Sequence, residues 1–212
     1  NAQYASCVAS GFCIAPTYTD SATRPFYYGN PDFDNYPMIN VDWNMADTFC
    51  SWIGGSLPTE AQWEKAARGF YGIPYPWGEF QPTNKGNFAG TDTMPVGLYT
   101  EWSSPFQVRD LIGNVAEWTN DWYEASAYQT NEGIDPFGPK SGTMKVVRGA
   151  SWKEDEQKNL RAANRDYADP TLSYLYIGFR CVSSHSTVKI PVDRSSVTGG
   201  RASSGEVSQT LK

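Results

Sequence analysis

Apolar residues recur at helical spacing in three short windows of the chain. In Asp42–Ile53, the residues Ala46, Phe49, Cys50 and Ile53 fall on one face, Asp42 stands at the N-cap and Gly54-Gly55 follow. In Thr59–Arg68, Trp63, Ala66 and Ala67 make the apolar face. Thr59 and Gln62 have the spacing of a capping box, and Gly69 stands at the exit. Asn1–Ser10 is a shorter helix with Tyr4, Cys7 and Val8 on one side, ended by Gly11. Strand-like runs occupy Lys145–Arg148 and Ile177–Val182, and short strands are expected around Thr93–Tyr99. Ile14–Pro37, Phe70–Gln107 and Ala125–Gly142 are rich in turn formers and show no period. Loops of that length in a compact domain are normally held by metals, disulfides or aromatic packing.

The densest chemistry lies in Asp110–Trp122, which reads DLIGNVAEWTNDW. Asp110 and Glu117 bracket Gly113 and Val115, and a turn through Gly113-Asn114 brings both carboxylates and the intervening carbonyls toward one point. Oxygen-only ligands suit a hard cation, calcium above zinc or copper. The same spacing equally fits a tight turn entering a strand, with the tryptophans in the core. General acid–base work is also open to the carboxylates here, although Asp121 and Glu124 have no evident partner in the sequence.

Composition narrows the class. The chain has 212 residues, 40% hydrophobic and 15% aromatic, enough for one globular core. A formal charge of −6 argues against nucleic acid and anionic membrane surfaces as partners. No apolar run approaches the roughly 18 residues of a membrane span. The four cysteines, Cys7, Cys13, Cys50 and Cys181, form no CxxC pair, and the single His185 lies in a Ser-rich tail, so a zinc site is not expected. An even cysteine count fits two disulfides in an oxidising compartment; four reduced buried thiols are the alternative. Cys7 and Cys13 lie across the end of the first helix, close enough for a small staple. Lys153–Lys158, almost all charged, reads as a solvated loop. Residues 183–212, rich in Ser, Thr and Gly, read as a tail or linker outside a domain of residues 1–182.

DLIGNVAEW, preceded by SLPTEAQWEKAARG and followed by VVRGASW and IGFRC, resembles the formylglycine-generating enzyme family, also called sulfatase-modifying factors. The motifs occur in the family's order across most of Asn1–Val182. The resemblance implies an α+β, C-type-lectin-like fold of low regular content, with two main helices, short strands and long loops. It implies structural calcium on Asp110, Gly113, Val115 and Glu117, and a second calcium at Asn87 and Phe88, with Asp92 as a further ligand there. It also implies a Cys50–Cys181 disulfide, leaving Cys7 with Cys13; the family's other bridge falls on Ala67 and Ala162 and cannot form. The family's first strands precede the point where this sequence starts, so the expectation is either that a preceding segment was lost or that another chain or a disordered stretch supplies it.

The family's copper-binding cysteine pair falls on Glu154 and Asn159. Neither ligates Cu(I) or forms a mixed disulfide with a substrate, so no copper and no formylglycine-generating reaction are expected. A related iron-dependent branch uses histidines that this chain lacks. What the resemblance leaves is recognition: a binding or structural module of an extracytoplasmic protein or assembly (secreted, periplasmic or cell-surface), its ligand face formed by Trp152, Glu154, Asp155, Asn159, Tyr167, Tyr174 and Tyr176. Tyr and Trp supply contact area at low entropy cost. The expected partners are a protein, a glycan or neighbouring subunits. The alternative is an enzyme of the family with altered, oxidoreductase-like or carboxylate-based chemistry.

Overall fold

Helices begin where the sequence offers caps. In the computed structural model, which describes residues 1–79, 84–130 and 136–183, α1 spans Ala2–Ala9, α2 Trp43–Trp52 and α3 Glu60–Arg68. The Asp42 carboxylate accepts the Met45 N–H, and Thr59 with Gln62 closes a reciprocal capping box at the start of α3. A single turn, α4 (Ala127–Thr130), and two short 3-10 segments, Pro31–Phe33 and Gln157–Leu160, complete the helical content among the described residues.

Four strands, β1 (Ala116–Trp122), β2 (Lys145–Arg148), β3 (Asp166–Ala168) and β4 (Ile177–Phe179), form one sheet in the order β3-β2-β1-β4. β1 runs antiparallel to β2 and parallel to β4, with an irregular register between Trp118 and Trp122. Successive side chains on a strand point to opposite faces, and here both faces are covered. One face carries Trp118, Val147 and Ile177 against α1 and α2, in a core that also holds Tyr4, Cys7, Phe49 and Cys50. The other turns Glu117 and Arg148 toward α3, beside a second core built on Trp63, Leu111, Ile112 and Leu160. Two-sided burial explains why β1 carries a charged residue with so little exposure, 4% at Glu117.

Three expectations change. Thr93–Tyr99 forms no strand; side chains hold it instead, with Met94 exchanging hydrogen bonds with the Asn114 amide and the Gly97 N–H donating to Asp110. The final strand stops at Phe179, after which Val182 makes an isolated bridge to Ser56. The short strand β3 lies in a stretch read from sequence only as surface. His185 and most of the Ser-rich tail lie outside the described residues.

Cys7 pairs with Cys13, and Cys50 with Cys181, 131 positions away in sequence. The second bridge ties α2 to the segment leaving β4. By loop-closure entropy the long bridge contributes about 4–5 kcal/mol and the short one about half that. Accordingly, Cys50→Ala/Cys181→Ala should lose roughly twice as much stability in urea unfolding as Cys7→Ala/Cys13→Ala; equal losses would contradict this account.

Candidate functional site

The Asp110–Glu117 turn is built on left-handed backbone. Asp110, Gly113 and Asn114 have φ of 55°, 85° and 65°. Only glycine fits at position 113, since a Cβ there would lie 2.7 Å from the Asn87 carbonyl oxygen. The Gly113 N–H donates to Gly149 and the Asn114 N–H to Asn87, so the turn is clamped between the end of β2 and the 87–94 loop.

Glu117 is the centre of this clamp. Its Oε2 accepts the Trp63 indole N–H at 2.6 Å and the Arg180 Nε–H at 2.6 Å, while Oε1 accepts from Arg180 Nη2 at 2.5 Å. Arg180 Nη2 also donates to the carbonyls of Arg109 and Asp110. One guanidinium therefore spans the space between the two carboxylate-bearing residues of the turn.

A cation at this turn has to share these groups. A carboxylate offers about four lone-pair sites; Glu117 uses three, leaving one. Asp110 uses Oδ2 for the Gly97 N–H, which leaves Oδ1. Among the described residues no hydrogen bond reaches the buried Gly113 and Val115 carbonyl oxygens. One oxygen thus remains open on each of the four residues, and oxygen donors of this kind suit a hard cation. No three His, Cys, Asp or Glu side chains cluster for a metal among the described residues, so such a site rests on two carboxylates and the backbone.

The upstream group has less to give. The Asn87 amide donates to the Asp92 carbonyl and to Asn114 Oδ1, and the Asn87 carbonyl accepts the Asn114 N–H. Phe88 packs half-buried against the second core. Asp92 is saturated: its oxygens accept from Ser21, from the Thr23 N–H and hydroxyl, and from Thr93, and they pair with Arg24 at 2.9 Å. Burial works to raise the Asp92 carboxyl, but these hydrogen bonds hold it below its ordinary value. This carboxylate already has a full set of partners.

The aromatic and charged residues of the expected ligand face divide into two groups. Trp152 hangs half-buried beside Tyr174 and Tyr176, its indole N–H donating to the Leu175 carbonyl at 3.4 Å. Tyr174 packs on Trp118 and on Tyr176, and the Lys153 ammonium caps the Tyr176 ring. Glu154 is half-buried, with its carbonyl accepting the Ala89 N–H; Asp155 is exposed, and Asn159 is half-buried in the 3-10 turn. Tyr167 stands apart on β3, across the sheet from β4, packed at a tilt on Tyr123 with a centroid separation of 4.3 Å. Trp152 and Lys153 thus meet Tyr174 through Tyr176, whereas Tyr167 lies on the opposite edge strand.

Sequence reasoning missed the buried ion network on the α3 face of the sheet. Arg148, fully buried, donates to Glu60 at 2.6 Å, to Glu64 at 2.9 Å and to the Ala162 carbonyl, and Arg165 grips both Glu60 oxygens. The signal was present in PTEAQWE and VVRG, where charged residues occupy positions that helix and strand periods assign to the interior. Asp121 also has partners: it accepts the Glu60 and Gly138 N–H groups, and burial raises its carboxyl.

The family described as the sulfatase-modifying factor enzyme 1-like domain matches residues 1–185. The serine/threonine-protein kinase Pkn1 of Chlamydia trachomatis is 40% identical over 154 residues, 71% of this chain and 25% of that protein. The formylglycine-generating enzyme of Thermomonospora curvata is 35% identical over 176 residues, 72% of this chain and 57% of that one. The inactive C-alpha-formylglycine-generating enzyme 2 of Mus musculus is 39% identical over 166 residues, 70% of this chain and 49% of that one. The chain therefore spans about a quarter of the kinase and about half of the other two. In structure it matches PvdO from Pseudomonas aeruginosa with a TM-score of 0.65 at 25% identity, covering 82% of this chain and 73% of PvdO. The fold is the mixed α+β, C-type-lectin-like one of these proteins.

The sheet also carries a titratable cation whose effect on stability can be measured. Lys145 lies 3.9 and 4.0 Å from the ring centroids of Trp43 and Trp122, and donates to the Asn120 carbonyl. Burial lowers its pKa to about 8 from an ordinary 10.5, against the pull of Asp121 and Asp47. Between those two values the unfolded chain binds more protons than the folded one. The stabilisation is therefore complete above the unfolded value and lost as pH falls through about 8. Stability in denaturant should rise by about 1–2 kcal/mol from pH 8 to 9.5, and Lys145→Met should flatten that slope. A parent protein with no rise would refute the assignment.

Proposed function

The chain belongs to the sulfatase-modifying factor enzyme 1-like family, and from that premise we propose that it is a non-catalytic member, a calcium-stabilised, extracytoplasmic module for binding or assembly. One observation carries the reading: all four cysteines of the chain are consumed in two disulfides. A soft Cu(I) centre needs a thiolate pair, and a mixed disulfide with a substrate cysteine needs a free thiol. Glu154 and Asn159, where the family places that pair, supply neither. The likeness to a relative named as inactive supports the same reading. The two disulfides support an oxidising compartment. No helix among the described residues is long and apolar enough to cross a membrane.

Calcium enters on the fit of its donor set. Asp110, Gly113, Val115 and Glu117 would hold it, and the ion would supply a fixed positive charge that fastens the turn. Asn87 and Phe88 form the weaker second candidate, because the nearby Asp92 is already saturated. The ligand face is assigned to Trp152, Glu154, Asp155, Asn159, Tyr174 and Tyr176, whose half-buried aromatic rings present contact area without long flexible side chains. Tyr167, at the far edge of the sheet, would belong to a separate part of that surface. The ligand class is a protein, a glycan or a neighbouring subunit.

Two measurements test this. Removing calcium with a chelator should lower Tm by roughly 5–10 °C relative to the protein at hundredfold saturation, and Asp110→Asn should remove most of that difference. An unchanged Tm would leave Arg180 as the cation that holds the turn. In the second, the protein should give no oxidation of a sulfatase-motif peptide cysteine when loaded with copper; turnover there would end the non-catalytic reading.

A further inference from the structure

Exposed apolar side chains carry meaning when they gather, and the segment from Phe12 to Phe26 gathers four. Phe12 is 56% exposed, Ile14 69%, Tyr18 67% and Phe26 73%. Phe12 and Ile14 flank the buried Cys13, which the bridge to Cys7 anchors on α1. Tyr4 links Ile14 to the second half of the loop. Its hydroxyl donates to the Ile14 carbonyl at 3.0 Å, and its ring meets that of Tyr28 edge-on at 6.3 Å. The Tyr28 N–H donates to the Thr19 carbonyl beside Tyr18, and the Phe26 N–H donates to the Asp20 carboxylate at 2.8 Å. The Asn40 amide fixes the same turn by donating to the Tyr18 and Asp20 carbonyls. Phe26 itself is held on left-handed backbone, φ 53°, which a bulky residue rarely adopts. Such strain persists only where the surroundings impose it, and it clusters where a side chain has to be presented.

We propose that this patch is a self-association face, through which two copies of the chain pair about a twofold axis. Area and charge select a second copy as the occupant. With about 150–250 Å² for a whole aromatic side chain, the four residues present roughly 500 Å² of apolar surface. Two such faces bury roughly 1,000 Å², the lower bound of a specific interface. Between Asn1 and Asn30 the only charged side chains are Asp20 and Arg24. Asp20 accepts the Phe26 N–H, while Arg24 pairs with Asp92 and lies over Phe33 and Tyr36. The face is therefore neutral on a chain of formal charge −6, and two copies meet here without the like-charge repulsion felt elsewhere. A twofold contact needs a patch that complements itself, which an uncharged apolar surface does. The disulfide and the inward hydrogen bonds already fix the loop, so pairing has little left to order. The face shares no residue with the Asp110–Glu117 turn or with the Trp152 ligand face, and it stands independently of both.

Sedimentation equilibrium of the full chain tests the proposal. The parent protein should be a reversible dimer with a Kd on the order of 10 µM, as suits a contact of this size. Phe26→Asp and Tyr18→Asp should each raise that Kd about tenfold or more. Aspartate is among the residues that accept left-handed backbone, so Phe26→Asp should melt no lower than the parent at concentrations where both are monomers. Should it fail to fold, Tyr18→Asp carries the same comparison. Tyr71→Asp, at an almost fully exposed aromatic beyond α3, should leave the Kd unchanged. A parent that stays monomeric at about 100 µM overturns the proposal. So does a dimer that neither Phe26→Asp nor Tyr18→Asp weakens, or one that Tyr71→Asp dissolves. A monomer that floats with phosphatidylcholine vesicles, and ceases to do so as Phe26→Asp, would overturn the pairing and assign the patch to a lipid surface.

Discussion

A carboxylate placed inside a protein is costly unless its charge and lone pairs are met. Glu117 stands in the central strand with Trp63 on one side and Arg180 on the other, and much of the fold can be understood as the means of meeting that demand. Trp63 reaches it because the capping box starts α3 at a fixed residue. Arg180 reaches it because β4 runs parallel beside β1, in register from Ala116–Ile177 to Trp118–Phe179, and delivers the next residue to the same side. Removing either partner would leave a buried charge half-satisfied, the costly way to disrupt such a pair. The Glu60–Arg148–Arg165 cluster repeats the arrangement on the same face, where Arg148 stands opposite Glu117 across the β1–β2 pair. Three carboxylates, Glu60, Glu64 and Glu117, and three guanidiniums thus organise the α3 side of a sheet whose opposite side is held by ordinary apolar packing.

The local elements were legible where the cause was local. Asp42, Thr59 and Gln62 announce helix starts by side-chain chemistry that needs no tertiary partner, and Gly113 announces a turn. The strand of Ala116–Trp122 was ambiguous because its inward residues include Glu117, and a burial pattern with charged members does not look like a strand from one sequence. The short strand at Tyr167 was invisible for a related reason: it is three residues long and exists through pairing with Val146 rather than through propensity. Of the candidate site, the turn could be read from the spacing of its oxygens, whereas the role of Arg180 could not. That role depends on a strand returning from 63 residues away, and no periodicity records it. The division of the aromatic face followed the same limit. Tyr167 and Tyr176 are close in sequence but lie on opposite edges of the sheet, and only the strand order separates them.

The saturation of Asp92 shows how a motif residue can be diverted. In sequence it is a spare carboxylate near Asn87. In the fold it gathers the 21–24 loop, binding Ser21, Thr23 and Arg24 at once. The aromatic loop of Ile14–Pro37 has no regular structure over most of its length, and Asp92 joins Asn1, Tyr4 and Asn40 in fastening it to the rest of the domain. Arg24 extends the fastening by lying over the rings of Phe33 and Tyr36.

The Cys50–Cys181 bridge has a mechanical consequence. It closes a covalent ring that contains α3, the Asp110–Glu117 turn and β1 to β4. Tension drawn along the backbone from the N-terminal side toward the segment after Cys181 would travel through α2, cross at the sulfur atoms and leave, bypassing everything between. In a chain pulled by neighbouring domains, the ring would carry almost none of the load while the bridge is intact. The turn and the sheet would keep their shape under forces that stretch the segments on either side.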